Sequence, residues 1–202
     1  MYDELEVINY LLSQVGAAPV SNLNNPLPDI LSAQLRLNEA SIWVQKRGWW
    51  FNKVLAQTLV PDGSGEIALP PQTLKVVSPF NTFVINRDDK LYDPFRDSFE
   101  FTEPVTVDIT LLMDWEQLPG SVQDVIMYRA GQQMVLHELE DTNKAALLED
   151  DIQEGLLILN REDLEIKQRN VINLTAVQKM LYRVRPYRRY NVRNPNIPGG
   201  GL

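Results

Sequence analysis

The sequence predicts an α+β fold, in which an up-down bundle of about four helices carries an inserted small antiparallel β-sheet and an extended C-terminal arm. Apolar residues recur at spacings of three and four before residue 50 and after residue 119, which is typical of amphipathic helices. Between these stretches, groups of prolines and glycines separate short β-branched runs, the pattern of strands. Residues 186–202 hold three prolines and three glycines, so no regular element is expected there.

Two helices are predicted in the first 50 residues. The first covers about residues 3–15 and ends at Gly16, since glycine commonly follows a helix C-terminus. The second runs from Pro28 to Gly48. Their apolar faces are Leu5, Ile8, Leu11, Leu12 and Val15 in the first helix and Ile30, Ala33, Leu37, Ala40 and Val44 in the second.

The predicted sheet follows the second helix. Its candidate strands are Val54–Val60, Leu74–Val77, Phe80–Ile85 and Val105–Leu111. In the last of these, Val105, Val107, Ile109 and Leu111 alternate with polar residues, which indicates a strand with one buried face. The polar segment Asn86–Lys90 is predicted to join two strands as a hairpin, and Gly63-Ser64-Gly65 is predicted to be a turn.

Two further helices are predicted after Pro119. The third covers residues 121–140 with Ser121 as its N-cap, and the fourth covers about 143–168 with Thr142 as its cap. Gly155 lies inside the fourth helix and is expected to weaken it by ~1 kcal/mol relative to alanine. The apolar faces are Val122, Val125, Ile126, Ala130, Met134 and Leu136, and then Leu148, Ile152, Leu156 and Leu159.

We therefore expect four parts: a first part of the helical body (1–50), an inserted β region (51–114), a second part of the body (115–170) and a basic arm (171–202). Residues 1–170 carry 13 basic and 27 acidic side chains, whereas residues 171–202 carry six basic side chains and no acidic one. This change in net charge from −14 to +6 is typical of an interaction tail on a self-repelling body.

Several classes of site are excluded or weakly indicated. Because the chain has no cysteine, it has no disulfide, zinc–thiolate site or cysteine nucleophile. His137 lies in a predicted helix without a GxSxG motif in the chain, so we interpret it as structural. The acidic residues between Glu138 and Glu154 match no calcium-binding loop and are expected to form a solvated helix face. No metal, cofactor, signal peptide or membrane span is expected.

Aromatic residues cluster where the second predicted helix meets the β region. The cluster comprises Trp43, Trp49, Trp50 and Phe51, with Gly48 between them. Aromatic side chains at such a position either form a binding platform or pack at the junction of two parts of a protein. We favour a structural junction, with Trp43 and at least one of Trp49 and Trp50 in the core.

The basic arm contains arginines interleaved with tyrosines: Arg183, Arg185, Tyr187, Arg188, Arg189, Tyr190 and Arg193. Tyrosine and arginine dominate the binding energy of many protein interfaces, and arginine pairs bidentately with carboxylates. The same composition suits nucleic-acid binding. We favour a partner protein; nucleic acid and a plain solubilising tail remain the alternatives.

Two segments resemble the tail tubular protein A family, the head-to-tail adaptors of short-tailed phages (podoviruses). Residues 7–21 read VINYLLSQVGAAPVS and resemble the family pattern (I/V)N-x-(I/L)L-x-x-(I/V)G-x-x-PVS. Residues 46–52 read KRGWWFN and resemble the family's RGWxFN motif. The resemblance covers about residues 5–135, so the role of the arm is carried over by position alone.

The resemblance implies a structural protein of the virion tail or neck, made in the cytoplasm of a bacterial host. It implies a homo-oligomeric ring of twelve subunits around the DNA channel, with the portal protein and the tail nozzle as partners and DNA passing without specific binding. It also implies that the seven arm residues contact the portal, and leaves the attachment of tail fibres open. The acidic body is expected to line part of the channel and repel DNA phosphates.

Two other functions remain open from the sequence. The first is a nucleic-acid-binding protein that uses the basic arm, for which salt-sensitive binding is the diagnostic property. The second is a tail-associated glycan hydrolase, which needs a pair of carboxylates. Any acidic chain offers many such pairs, and the sequence favours none of them.

Overall fold

The computed structural model describes residues 2–24, 27–79 and 83–172. Residues 2–164 belong to one compact unit, and the chain from Glu165 belongs to a second, described only as far as the end of the last helix. The elements are helix α1 (Glu4–Gln14), helix α2 (Pro28–Gln45), strands β1 (Lys53–Leu59), β2 (Thr73–Val77), β3 (Ile85–Arg87), β4 (Lys90–Tyr92) and β5 (Val105–Leu111), a 3₁₀ turn (Trp115–Gln117), helix α3 (Gly120–Met134), a π-helical turn (Val135–Leu139) and helix α4 (Thr142–Ile172). This order confirms the α+β fold with four helices.

The helical core contains apolar residues from all four helices. Every predicted residue of the α2 face is buried, as are Leu148, Ile152, Leu156 and Leu159 of α4. In α1 the buried residues are Val7, Ile8, Leu11 and Leu12. Helical periodicity therefore identified the core positions of α2 and α4 correctly, because the residues of one helical face leave water together. In α1 it missed Val7 and included Leu5 and Val15, which are only partly buried.

Helices α3 and α4 approach each other closely at Gly155. A Cβ atom built on Gly155 would lie 2.5 Å from Cγ2 of Val125, which is closer than two carbon atoms can pack. A glycine costs helical propensity, but here it lets the two helix backbones come together. The interior position of Gly155 is therefore explained by packing.

The predicted caps of α3 and α4 are wrong. Pro119 occupies the N-cap position of α3, and Ser121 lies inside the helix, where its hydroxyl donates to Oε2 of Glu162 on α4 at 2.8 Å. At α4 the side chain of Asp141 accepts from the backbone N–H groups of Asn143 and Lys144, both at 3.0 Å. Thr142 is thus the first helical residue and not the cap, since a carboxylate is the stronger acceptor for free helix N–H groups.

The predicted third helix changes character near its end. After Met134 the backbone continues as the π-helical turn and stops at Glu140, which has a left-handed φ of 50°. The wider turn shifts the later side chains around the helix axis. Leu136, predicted in the core, is consequently 42% exposed, and His137 is also exposed.

The main sheet has three antiparallel strands in the order β1-β5-β2. The central strand has the predicted bounds, and Val107 and Ile109 of its predicted apolar face are fully buried. Strand β1 contains a bulge at Ala56, whose φ is 51° and whose N–H donates to the Asp108 carboxylate at 2.9 Å. A second core lies on this sheet, formed by Ile67, Leu69, Val76, Val84, Leu91, Phe101, Val107 and Ile109.

A two-stranded hairpin of β3 and β4 forms a separate small sheet. The predicted hairpin is confirmed, with a two-residue turn at Asp88 and Asp89, whose φ angles of 54° and 55° match a type I′ turn. Among the described residues of the predicted strand Phe80–Ile85, only Ile85 lies in a strand. Phe83 and Val84 are not paired, because the short hairpin pairs three residues on each side, beginning at Ile85; positions 80–82 lie outside the described residues.

Substitution of Gly155 tests the close approach of α3 and α4. We expect Gly155→Ala to lower the free energy of unfolding by about 1–2 kcal/mol, because the strain of overpacking exceeds the gain in helix propensity. Gly120→Ala is the matched control, since a Cβ there meets nothing within 4 Å. Urea unfolding followed by circular dichroism measures both changes; equal stabilisation of the two variants would contradict the proposed packing.

We expect the helical body to lose stability at alkaline pH because the phenol of Tyr10 ionises more easily in the unfolded chain than in the folded one. Burial, with smaller contributions from Tyr128, Asp151 and Tyr2, raises the pKa of this phenol from 10.0 to about 12. A raised folded-state pKa contributes stability that is complete below pH 10 and is lost as the pH rises towards 12. Thermal unfolding from pH 8 to 11.5 should therefore show a shallower alkaline decline for Tyr10→Phe than for the wild type; parallel curves would contradict the assignment.

Candidate functional site: the helix–sheet junction and the exposed helix faces

The predicted partner-binding residues of the arm lie outside the described residues. They are Arg183, Arg185, Tyr187, Arg188, Arg189, Tyr190 and Arg193. Their role therefore stays a prediction. The predicted junction residues lie within the described part of the chain.

Asn52 is the centre of the junction between α2 and the main sheet. Its side chain is 2% exposed and makes three hydrogen bonds. Nδ2 donates to the carbonyl oxygens of Gln45 at 3.0 Å and Leu111 at 2.8 Å, and Oδ1 accepts from the backbone N–H of Trp49 at 2.9 Å. One amide thus joins the last residue of α2, the following turn and the end of β5.

Gln45 adds a second link between the same elements. Its side chain is fully buried, and Oε1 accepts from the backbone N–H of Met113 at 2.8 Å. Nε2 donates to the carbonyl oxygen of Met113 at 3.1 Å and to Oγ of Ser41 at 2.9 Å. Because the backbone N–H and C=O groups of Met113 are both hydrogen-bonded, the chain leaves the sheet at Met113 without an unpaired polar group.

Gly48 and Trp49 shape the turn between α2 and β1. Gly48 has a φ of 78°, and a Cβ atom there would lie 2.9 Å from Oγ1 of Thr110, which is itself buried. Trp49 is 4% exposed, and its indole N–H donates to the carbonyl oxygen of Val44 at 2.8 Å. Only glycine combines the left-handed backbone with so close a contact.

The other aromatic residues of the cluster are partly buried against the helical core. The guanidinium groups of Arg47 and Arg129 lie over the ring of Trp43, at 4.8 and 4.7 Å from its centre. Trp50 and Phe51 pack edge to face, with ring centres 5.4 Å apart. Trp43, predicted in the core, is thus only partly buried, with two guanidinium groups over its ring.

The aromatic residues of the junction were predictable from composition, whereas its polar residues, Gln45 and Asn52, were not. The only signal for Asn52 was its place as the last residue of the KRGWWFN segment. Gln45 had no signal, since it follows the apolar seam of α2 by one residue and resembles any exposed helix-terminal glutamine. Buried hydrogen-bond networks depend on partners distant in sequence, such as Leu111 and Met113.

Apolar side chains remain exposed on the outer faces of two helices. On α2 these are Leu31, Leu35 and Ile42, which are between 37% and 53% exposed. On α4 they are Leu147, Leu157, Ile158 and Leu164, between 45% and 69% exposed. Isolated exposed leucines are ordinary, but contiguous exposed apolar surface marks sites of protein association.

The acidic residues of the π turn and α4 mostly face solvent, as expected. Glu138, Glu140 and Asp151 are exposed, while Glu149 is half-buried and accepts from the side chains of Gln132 and Gln153 at 2.8 and 2.5 Å. These two hydrogen bonds lower the pKa of Glu149.

Across residues 2–24, 27–79 and 83–172, no cluster of three or more acidic, histidine or cysteine side chains could hold a metal ion. No helix in the same part of the chain is long and apolar enough to cross a membrane.

Substitution of Asn52 tests the junction. We expect Asn52→Asp to lower the free energy of unfolding by about 2–4 kcal/mol, because a carboxylate cannot donate to the Gln45 and Leu111 carbonyl oxygens and places a negative charge beside them in a buried site. Asn160→Asp, at an exposed position of α4, should change it by less than about 0.5 kcal/mol. Chemical denaturation at pH 7 measures both; a stability loss no larger than that of the control would contradict the central role of Asn52.

Comparison with known proteins gives the family. The family model described as tail tubular protein matches residues 5–169. A similar relative is tail tubular protein A of Klebsiella phage KP34, which is 29% identical over 144 residues, or 70% of this chain and 77% of the relative. Because the family model covers most of the chain, including α1, the Asn52 junction and most of α4, the chain belongs to the tail tubular protein family, the structural proteins of phage tails.

Proposed function

We propose that the protein is a head-to-tail adaptor of a short-tailed phage, forming a ring between the portal and the tail nozzle around the DNA channel. The observation that carries this proposal is the membership of the tail tubular protein family, since the similar phage KP34 relative bears the name tail tubular protein A. The two exposed apolar helix faces support it, because a subunit that assembles leaves such surface uncovered until its neighbours arrive.

The helix–sheet junction suits an adaptor mechanically. An adaptor must hold two binding regions at a constant orientation, because one partner lies above it and the other below. The five hydrogen bonds that the side chains of Asn52 and Gln45 make to backbone groups of α2, the turn, β5 and the chain beyond it connect the helical body to the main sheet without a flexible linker. The family resemblance implies the orientation that we propose, with the β region on the nozzle side and the helical body on the portal side.

The ring is proposed to contain twelve copies, and its DNA channel to be lined in part by the acidic body. With 27 acidic and 13 basic side chains in residues 1–170, the body repels phosphates, so that DNA passes without specific binding. In this proposal the virion is the site of action, tail fibres attach at the flank in some members, and the ring performs no chemistry.

Charge reversal in the arm tests portal binding. In the full-length chain, Arg188→Glu combined with Arg189→Glu should weaken binding to purified portal rings on the order of 100-fold, since two charge-assisted pairs are lost. Arg188→Lys with Arg189→Lys is the matched control; it keeps the charge but loses bidentate pairing, so about tenfold is expected. Co-sedimentation and electron microscopy of the complexes measure both.

The same variants distinguish the nucleic-acid alternative. A DNA-binding arm would leave portal binding unchanged in the glutamate variant, while salt-sensitive DNA binding would disappear in that variant and persist in the lysine variant. That pattern, or a wild-type protein that never forms rings even with portal present, would overturn the adaptor proposal.

A further inference from the structure

The outer face of α2 carries a second seam besides the buried one. Leu31, Leu35, Asn38 and Ile42 are all exposed and follow one another at spacings of four, three and four. This spacing places them on one stripe of the helix, on the side away from Ile30, Ala33 and Leu37. A stripe with this period is the surface on which a second helix packs.

The outer face of α4 has the same construction. Leu147, Asp150, Glu154, Leu157, Arg161 and Leu164 follow one another at spacings of three and four, and all are exposed. Ile158 lies beside this seam and is 45% exposed. The buried face of the helix, with Leu148, Ile152 and Leu159, points the opposite way. The apolar positions of this seam are Leu147, Leu157 and Leu164, and its other positions, Asp150, Glu154 and Arg161, are charged.

The two seams lie on opposite sides of the helical body. Helices α1 and α3 contact each other, and α2 packs against both. Helix α4 also packs against both: Lys144 donates to the Gln14 carbonyl oxygen of α1 at 2.6 Å, and Gly155 lies against Val125 of α3. Because one groove cannot hold two helices, α2 and α4 occupy opposite sides of the α1–α3 pair, and their outer seams face in opposite directions.

The charges near the two seams differ. From Leu147 to Leu164, α4 carries six acidic side chains and one basic side chain. From Pro28 to Arg47, α2 and the turn after it carry two acidic and three basic side chains, with Lys46 continuing the exposed seam. Two copies of the α4 seam would repel each other, whereas α4 against α2 would not.

We propose that the α4 seam of one copy docks on the α2 seam of the next, so that the occupant of each face is a second copy of this chain. Different faces at opposite sides of a subunit make a heterologous contact, the kind that closes into a ring. This inference rests on the proposed ring and names the surfaces that build it: Leu31, Leu35 and Ile42 against Leu147, Leu157 and Leu164.

The first test introduces a charge into each seam of the full-length chain. Leu35→Glu and Leu157→Glu should each abolish rings, in the presence of portal as in its absence, and leave a 23.1 kDa monomer in sedimentation velocity. Asn160→Glu adds the same charge at an exposed α4 position off the seam and should leave rings intact. Circular dichroism and thermal unfolding establish that each variant is folded, as expected for exposed positions.

The second test identifies which face meets which. Because the chain has no cysteine, Leu35→Cys and Leu157→Cys provide single reactive positions for a short bis-maleimide cross-linker. Each variant alone should give no cross-linked product under conditions that form rings. An equimolar mixture of the two should give covalent dimers only, and the double variant should give a ladder of higher oligomers.

The outcomes separate this inference from the adaptor proposal. Rings that survive Leu35→Glu or Leu157→Glu overturn the α2–α4 contact and leave the ring itself standing. Dimers from either cysteine variant alone also overturn it, because they show that like faces meet. A wild type that never assembles with portal present overturns the adaptor proposal, and this inference with it.

Discussion

The structure depends on the buried amide of Asn52. A helical bundle and a small sheet meet where α2 ends, a turn begins and β5 ends. Each of these three segments contributes a buried backbone group that needs a hydrogen-bond partner. Asn52 supplies both a donor and an acceptor to these groups, and Gln45 does the same for the chain beyond β5. The orientation of the sheet on the bundle follows from these contacts.

Periodicity predicted the elements well and their ends poorly. The seams of α2 and α4 and the bounds of β5 were correct, because residues that are buried together repeat at the period of their element. The caps at Pro119 and Asp141, the π-helical turn and the unpaired Phe83 were not predicted. The caps depend on which of several nearby polar groups accepts a hydrogen bond from a backbone N–H, and the π-helical turn and the strand end depend on a shift of about one residue. Neither kind of choice leaves a periodic signal in the sequence.

Hydrophobic patterning also does not show that a helix carries an exposed apolar stripe besides its buried one. Leu31, Leu35 and Ile42 follow the helical period as closely as Ala33 and Leu37 do, yet they are exposed, and the sequence analysis singled out only the buried stripe. The same limit applies to Leu147 and Leu157 on α4. For the candidate site, the aromatic half of the junction was recognised from its composition, while its polar half was recognised only in the fold, where distant carbonyl groups come together.

The bulge in β1 has a consequence for crowding. Among the described strands, β1 forms one edge of the main sheet, and an exposed edge invites the backbone of another molecule to pair with it. The extra residue at Ala56 twists this edge, and the N–H of Ala56 is already bound to Asp108. The β1 edge is therefore a poor template for pairing with the backbone of another copy, even at high local concentration.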